Sequence, residues 1–129
     1  MHKGFLKTTA LLGALAVALG AFGAHGLRQN FDENAVNIFE TAVRYHFYHV
    51  FALLGAGMLF KDFHTGAVRL AGYSFITGII LFCGSLYILS LITGSGIPGY
   101  TWVGAITPFG GLLFIVGWVS LFIGVLKKN

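Results

Sequence analysis

The sequence predicts an all-α membrane protein, a compact four-transmembrane-helix bundle with both termini cytoplasmic. Three observations predict it. Of 129 residues, 57% are hydrophobic and only 9% charged, against roughly 25% charged in a soluble domain. The few charges cut the chain into uncharged stretches long enough to cross a bilayer. Within those stretches small residues recur every seven positions. A mean hydropathy of +0.84 agrees. A soluble globule is excluded, and with two prolines so is a proline-rich disordered tail.

The first span is expected over about residues 5–24. Lys3 and Lys7 precede an uncharged stretch from Thr8 to Leu27, 20 residues long, and a spanning helix needs about 20. The basic start and the small residues Ala21, Gly23 and Ala24 also have the form of a secretory signal. That stretch exceeds the usual apolar region of about 7–15 residues, so it reads as a retained transmembrane helix.

The second span is expected over about 42–60. Arg44 and Lys61 enclose only 16 uncharged residues, about 24 Å of helix, short for a ~30 Å hydrocarbon core. The helix extends backward through Ala35 to Val43 from an N-cap candidate at Asp32.

Between Arg69 and Lys127 lie 57 consecutive uncharged residues, about 85 Å if helical. One helix cannot use that length. Gly94-Ser95-Gly96-Ile97-Pro98-Gly99 breaks it, giving spans of about 70–92 and 101–126. Tyr45, Tyr48, Tyr73, Tyr100 and Trp102 suit interfacial anchors.

Orientation follows from the basic residues. With both ends inside, the cytoplasmic face carries Lys3, Lys7, Lys61, Arg69, Lys127 and Lys128, and the outer face only Arg28 and Arg44. The whole forms a single integral membrane domain over residues 1–129.

The small-residue stripes predict how the helices pack. The fourth helix repeats Gly110, Gly117 and Gly124. The first repeats Gly13 and Gly20, with Ala16 and Gly23 beside them; the third gives Ala71, Gly78 and Ser85; the second gives Ala35, Ala42, His49 and Ala56. Such stripes let backbones approach in lipid, where apolar burial no longer drives association. Pro108 is expected inside the fourth helix, kinking it near Gly104 to Thr107, with the Thr107 hydroxyl offered to a freed carbonyl.

Ionisable groups near a membrane are costly and mark candidate sites. Here they gather as His25, Glu40, Arg44, His46 and His49. Glu40 stands four residues before Arg44, the favourable order for a helical ion pair. His49 lies on the opposite side of that helix, on the Ala42–Ala56 stripe, and is expected to face the bundle. His46 is about 60° further round. The single Cys83 reads as a small buried hydrophobe.

Three functional readings compete. In the first the histidines are interhelical glue and the protein is a structural or accessory bundle. In the second His25, His49 and Glu40 form a polar relay near the outer face of a small transporter or channel. In the third His25, His46 or His49 hold haem or a metal, against which no cysteine or second acid is placed to complete a shell. An enzyme is not expected, because no serine or cysteine has a His and acid partner. No cofactor is called for. The net charge of +4 is spread without a basic run, so nucleic acid is not a partner. The lipid bilayer is, and a leftover small-residue face suits a homo-oligomer.

Gly20-Ala21-Phe22-Gly23-Ala24-His25-Gly26-Leu27, Phe39-Glu40-Thr41-Ala42-Val43-Arg44-Tyr45-His46 with His49, and Thr107-Pro108-Phe109-Gly110-Gly111 with Gly117-Trp118 resemble the YgdD/YwdK-type family of small inner-membrane proteins. The resemblance covers nearly the whole chain. It implies a four-helix protein of the bacterial inner (plasma) membrane, multi-pass, carrying a domain of unknown function. It implies no reaction, substrate or binding residue. Small multidrug exporters fit less well, since the first helix lacks their carboxylate. Small fluoride channels also fit less well, since their motifs are missing and the charge bias opposes dual topology.

Overall fold

The computed structural model describes residues 1–99 and 101–126; the expected anchor Tyr100 and the basic residues Lys127 and Lys128 lie outside the described residues. Four long helices, and among the described residues no strand, make up the fold. Helix α1 runs Lys3–Asn30, α2 Glu33–Leu59, α3 Gly66–Ser95 and α4 Thr107–Leu126. A 3₁₀ turn over Thr101–Ala105 precedes α4. Helices α1 and α3 each contain one π-turn, at Gly23–Leu27 and Ile79–Cys83.

The local chemistry at the ends explains these bounds. Asp32 caps α2 by accepting from the Ala35 N–H at 3.0 Å, as its side-chain type favours. Thr65 caps α3 through Val68 N–H at 3.2 Å. At the other end of α3, Gly96 takes φ +69°, a left-handed conformation that costs other L-residues energy. The glycine-proline segment therefore ends the helix as expected. Helix α1, however, continues past Ala24 to Asn30. The expected irregularity near Gly104 to Thr107 is a junction between 3₁₀ and α geometry, with Pro108 in the first turn of α4, not a kink in a helix interior. In that turn the missing N–H would have had no intrahelical partner.

Three stretches are long and apolar enough to cross a membrane: Lys3–Asn30, Gly66–Ser95 and Trp102–Leu126, with mean hydropathies of 1.8, 2.3 and 2.3. Helix α2 is 27 residues long, about 40 Å, but Glu33, Glu40, Arg44, His46 and His49 keep it out of that group.

Each helix packs chiefly on its neighbour in sequence, and the closest approach is between α3 and α4. Gly110, Gly117 and Gly124 of α4 lie against Phe82, Phe75 and Val68 of α3. Both series step by seven, in opposite directions, as antiparallel helices require. A Cβ on Gly117 would stand 2.6 Å from the Phe75 ring, and one on Gly110 would strike the Phe82 backbone nitrogen. In return Gly78 of α3 makes room for Phe114 of α4. The stripes of α2 and α3 are likewise buried. Helix α1 departs from the expectation. Its buried stripe is Thr9, Ala16 and Gly23. Gly13 and Gly20 sit beside it, only half-buried, where an added Cβ would meet Val50 and Val43 at ordinary distances of 3.6 and 3.4 Å. The reason is position: α1 lies at the edge of the bundle on α2, and reaches α3 mainly where Phe5 packs against Gly72.

Candidate functional site, a lateral groove between α2 and α4

Because α2 and α4 are not sequence neighbours, their backbones come close at few points. Side chains join them instead, and a groove of about 760 Å³ opens between them. Its polar floor is His49, with Tyr45, Tyr48 and Trp118 around it and Phe82, Pro108, Leu112, Phe114 and Ile115 as apolar walls.

His49 is buried, 4% exposed. Its Nδ1 lies 2.8 Å from the Tyr45 carbonyl oxygen, which only accepts, so Nδ1 carries the proton. Its Nε2 then has a free lone pair, and the Trp118 indole N–H donates to it at 3.1 Å. The ring also stacks on Phe114, centroids 3.5 Å apart and planes 5° from parallel. Both nitrogens are satisfied in the neutral form. An added proton on Nε2 would face the Trp118 N–H and break that bond.

His46, one turn nearer the N-terminal end of α2, is 1% exposed. Its Nδ1 lies 2.8 Å from Tyr87 Oη on α3. Nε2 has no hydrogen-bond partner among the described residues. Two further links tie α3 to its neighbours. Ser85 Oγ lies 2.6 Å from Thr107 Oγ1 on α4, and Ser90 Oγ donates to the Ala35 carbonyl of α2 at 2.6 Å. Thr107 thus serves Ser85 and not a carbonyl freed by Pro108.

The structure divides the five ionisable residues of the expected cluster. His46 and His49 are inside. His25 sits exposed in the π-turn of α1, with no hydrogen bond to Glu40 or His49 among the described residues. Glu40 pairs with Arg28 of α1, not with Arg44, because the short Phe31–Asp32 turn folds α1 back along α2. Arg44 is exposed on α2 with no ion pair or hydrogen bond among the described residues. It lines a second, smaller groove of about 370 Å³ with Glu40, Val43, Phe47, Tyr48 and residues of α1. No three His, Cys, Asp or Glu side chains converge to hold a metal among the described residues.

Sequence reasoning did not assign roles to Tyr87 and Ser90, it used Ser85 only as a small residue of the packing stripe, and it used Trp118 only as a motif residue. One signal pointed to Trp118. It stands near the middle of an apolar span, away from the interface where tryptophan usually sits, so its N–H needs a partner within the protein.

A helical bundle with three apolar stretches of spanning length and its polar side chains bonded between helices defines a helical membrane protein. The chain belongs to the family described as Protein of unknown function (DUF423), whose model matches residues 19–111. It is similar to the UPF0382 membrane protein YwdK of Bacillus subtilis, 40% identical over 126 residues, 97% of this chain and 98% of the relative. A UPF0382 membrane protein of Haemophilus influenzae is 39% identical over 130 residues, covering 100% and 98% of the two chains. One from Staphylococcus saprophyticus is 41% identical over 125 residues, covering 97% and 98%. No solved structure matches the chain.

Proposed function

We propose that the protein is a noncatalytic, multi-pass component of the bacterial inner membrane that acts as a structural or accessory bundle. It forms one membrane domain over residues 1–129, with four spans near 5–24, 42–60, 70–92 and 101–126 and both termini cytoplasmic. The observation that carries the structural reading is His49: both of its nitrogens are occupied by protein groups in the neutral form. A relay needs a group free to take and release a proton, and a metal site needs a free lone pair. His49 offers neither without losing Trp118.

Support for α2 as the fourth span comes from its packing. It runs between α1 and α3, and turns His46 and His49 inward. Polar groups that face the interior and are bonded to neighbouring helices are what lipid permits. The charges support the orientation: His2 N–H bonds to the Gly57 carbonyl and Arg69 lies over Phe60, so Lys3, Lys7, Lys61 and Arg69 gather at one end, with Arg28 and Arg44 toward the other.

The test has two parts. In a Cys83→Ser background, single cysteines at Asp62 and at Asn34 are labelled with an impermeant maleimide in intact cells and in inverted vesicles. Asp62→Cys should react only in inverted vesicles and Asn34→Cys only in intact cells; the reverse pattern overturns the topology. Proton flux is then measured in vesicles reconstituted with the wild type and with His49→Leu. Flux above protein-free vesicles that disappears in a folded His49→Leu protein would replace the structural reading with the relay.

A further inference from the structure

The least expected charge in the molecule is Arg44. From Arg44 to Leu59 at the inner end of α2 is about 22 Å of helix, less than the ~30 Å hydrocarbon thickness. On the reading that α2 spans the membrane, the Arg44 Cα therefore lies inside the hydrocarbon. A cation there is expensive unless it meets an anion. Within the described residues it meets none: Glu40, the nearest acid along α2, is held by Arg28, and the three charges together leave one positive charge uncompensated.

The surroundings of Arg44 have the shape of an answer. The two grooves share one residue, Tyr48; the smaller carries the paired Glu40 as well as Arg44, whereas the larger is mainly apolar. Arg44 lines the smaller groove, one helical turn toward the outer face from Tyr48. The larger groove runs down past Pro108 and Leu112 to Trp118, and Gly111 leaves its wall low, since even a Cβ there would clear Phe82 by 3.7 Å. One cation a helical turn outward of a long apolar groove matches one phosphate above an acyl chain.

We propose that Arg44 binds the phosphate of a single anionic phospholipid, one of whose acyl chains lies in the larger groove beyond Tyr48. The inference rests on the membrane-spanning placement of α2 and adds a specific ligand to it. A free phosphate ion would gain nothing from the groove, whereas a neutral lipid would gain nothing from the uncompensated charge.

Trp118 lines the larger groove and reports on its contents. With Trp102 replaced by Phe, Trp118 is the only tryptophan. The full-length protein is reconstituted in vesicles containing increasing fractions of phosphatidylglycerol or phosphatidylcholine brominated on the acyl chains, and Trp118 fluorescence is read. Half-quenching is expected at an about fivefold lower fraction of the brominated phosphatidylglycerol, the preference one basic side chain near anionic lipid supports. Arg44→Gln should bring the ratio to one with the helical circular dichroism unchanged, and Arg44→Lys should keep part of the preference. Gly111→Val, which fills the channel without touching the charge, should weaken quenching by both lipids. Equal quenching by the two lipids in the wild type, or a preference that survives Arg44→Gln, overturns the lipid site while leaving the membrane placement intact. Loss of the preference on adding millimolar glycerol phosphate overturns it in favour of a free phosphate. Quenching that fades as protein is concentrated, without headgroup preference, assigns the groove to a second copy of the chain. No quenching by either lipid shows that no acyl chain occupies the groove and likewise overturns the lipid site.

Discussion

The indole N–H of Trp118 on α4 donates to Nε2 of His49 on α2 across 3.1 Å, and on the opposite side of the same ring Nδ1–H donates to the Tyr45 carbonyl. The two bonds specify one tautomer and one charge state. The first also joins two helices whose backbones approach at few points. Removing the imidazole leaves an indole N–H and a backbone carbonyl to be satisfied in a region without bulk water.

His49→Leu should therefore lower stability without a gain or loss of proton flux. Interhelical hydrogen bonds in membranes are worth about 0.6 kcal/mol on average and up to about 1.7. With one of them lost, together with the bond to the Tyr45 carbonyl within α2 and the stack on Phe114, a decrease of about 1–3 kcal/mol is expected. Unfolding in mixed micelles of increasing denaturing detergent measures it. Trp118→Phe, which keeps the ring and removes only the N–H, should cost about 0.5–1.5 kcal/mol.

The glycines of the predicted stripes should separate into two groups. Gly110→Ala places a methyl group against the Phe82 backbone, and Gly117→Ala places one against the Phe75 ring. The Phe75 ring can turn, whereas backbone cannot. Gly110→Ala is expected to be the costlier of the two, within or above the 1–3 kcal/mol typical of overpacking. Gly13→Ala meets Val50 at an ordinary 3.6 Å and should be neutral or slightly stabilising, since alanine is the better helix former. Equal effects at Gly13 and Gly110 in the same detergent titration would contradict the α3–α4 contact.

Pro108→Ala should change stability by less than about 0.5 kcal/mol. The proline stands in the first turn of α4, where the restored N–H finds no partner of its own helix. A proline kinking a helix interior would behave differently, because its replacement restores an internal hydrogen bond. The unfolding midpoint separates the two cases.

Gly96→Ala should destabilise by about 1–2 kcal/mol, the cost of a left-handed conformation for a residue with a Cβ. Space is open around Gly96, so the penalty comes from φ +69° alone. Asn is more tolerant of this conformation, and Gly96→Asn should recover part of the loss in the same titration.

Much of the fold is written in local signals. The break at Gly94 to Gly99, the cap at Asp32 and the buried stripes of α2, α3 and α4 could all be read from residue type and spacing, because a helix has a fixed period and few residues tolerate its ends. His49 was assigned to the interior by the same periodicity. Where a reading failed, the deciding partner was distant in sequence. Glu40 has Arg44 four residues away, a geometry that allows an ion pair, but Arg28 lies closer once α1 folds back on α2. On α1 the stripe moved from Gly13 and Gly20 to Thr9, Ala16 and Gly23, because periodicity marks a face but not the direction in which a neighbour lies.

The candidate site shows the same division more sharply. Composition and charge spacing established that this chain is a helical membrane protein, since a bilayer imposes length and apolarity on any stretch that crosses it, whatever its neighbours. They could not show that Trp118 meets His49 across 69 residues, that Arg44 has no acid partner among the described residues, or that a groove opens between α2 and α4. Those depend on which helices are adjacent and at what rotation. That is decided by close contact between side chains far apart in the chain, where a single glycine against a single phenylalanine sets the distance between two backbones.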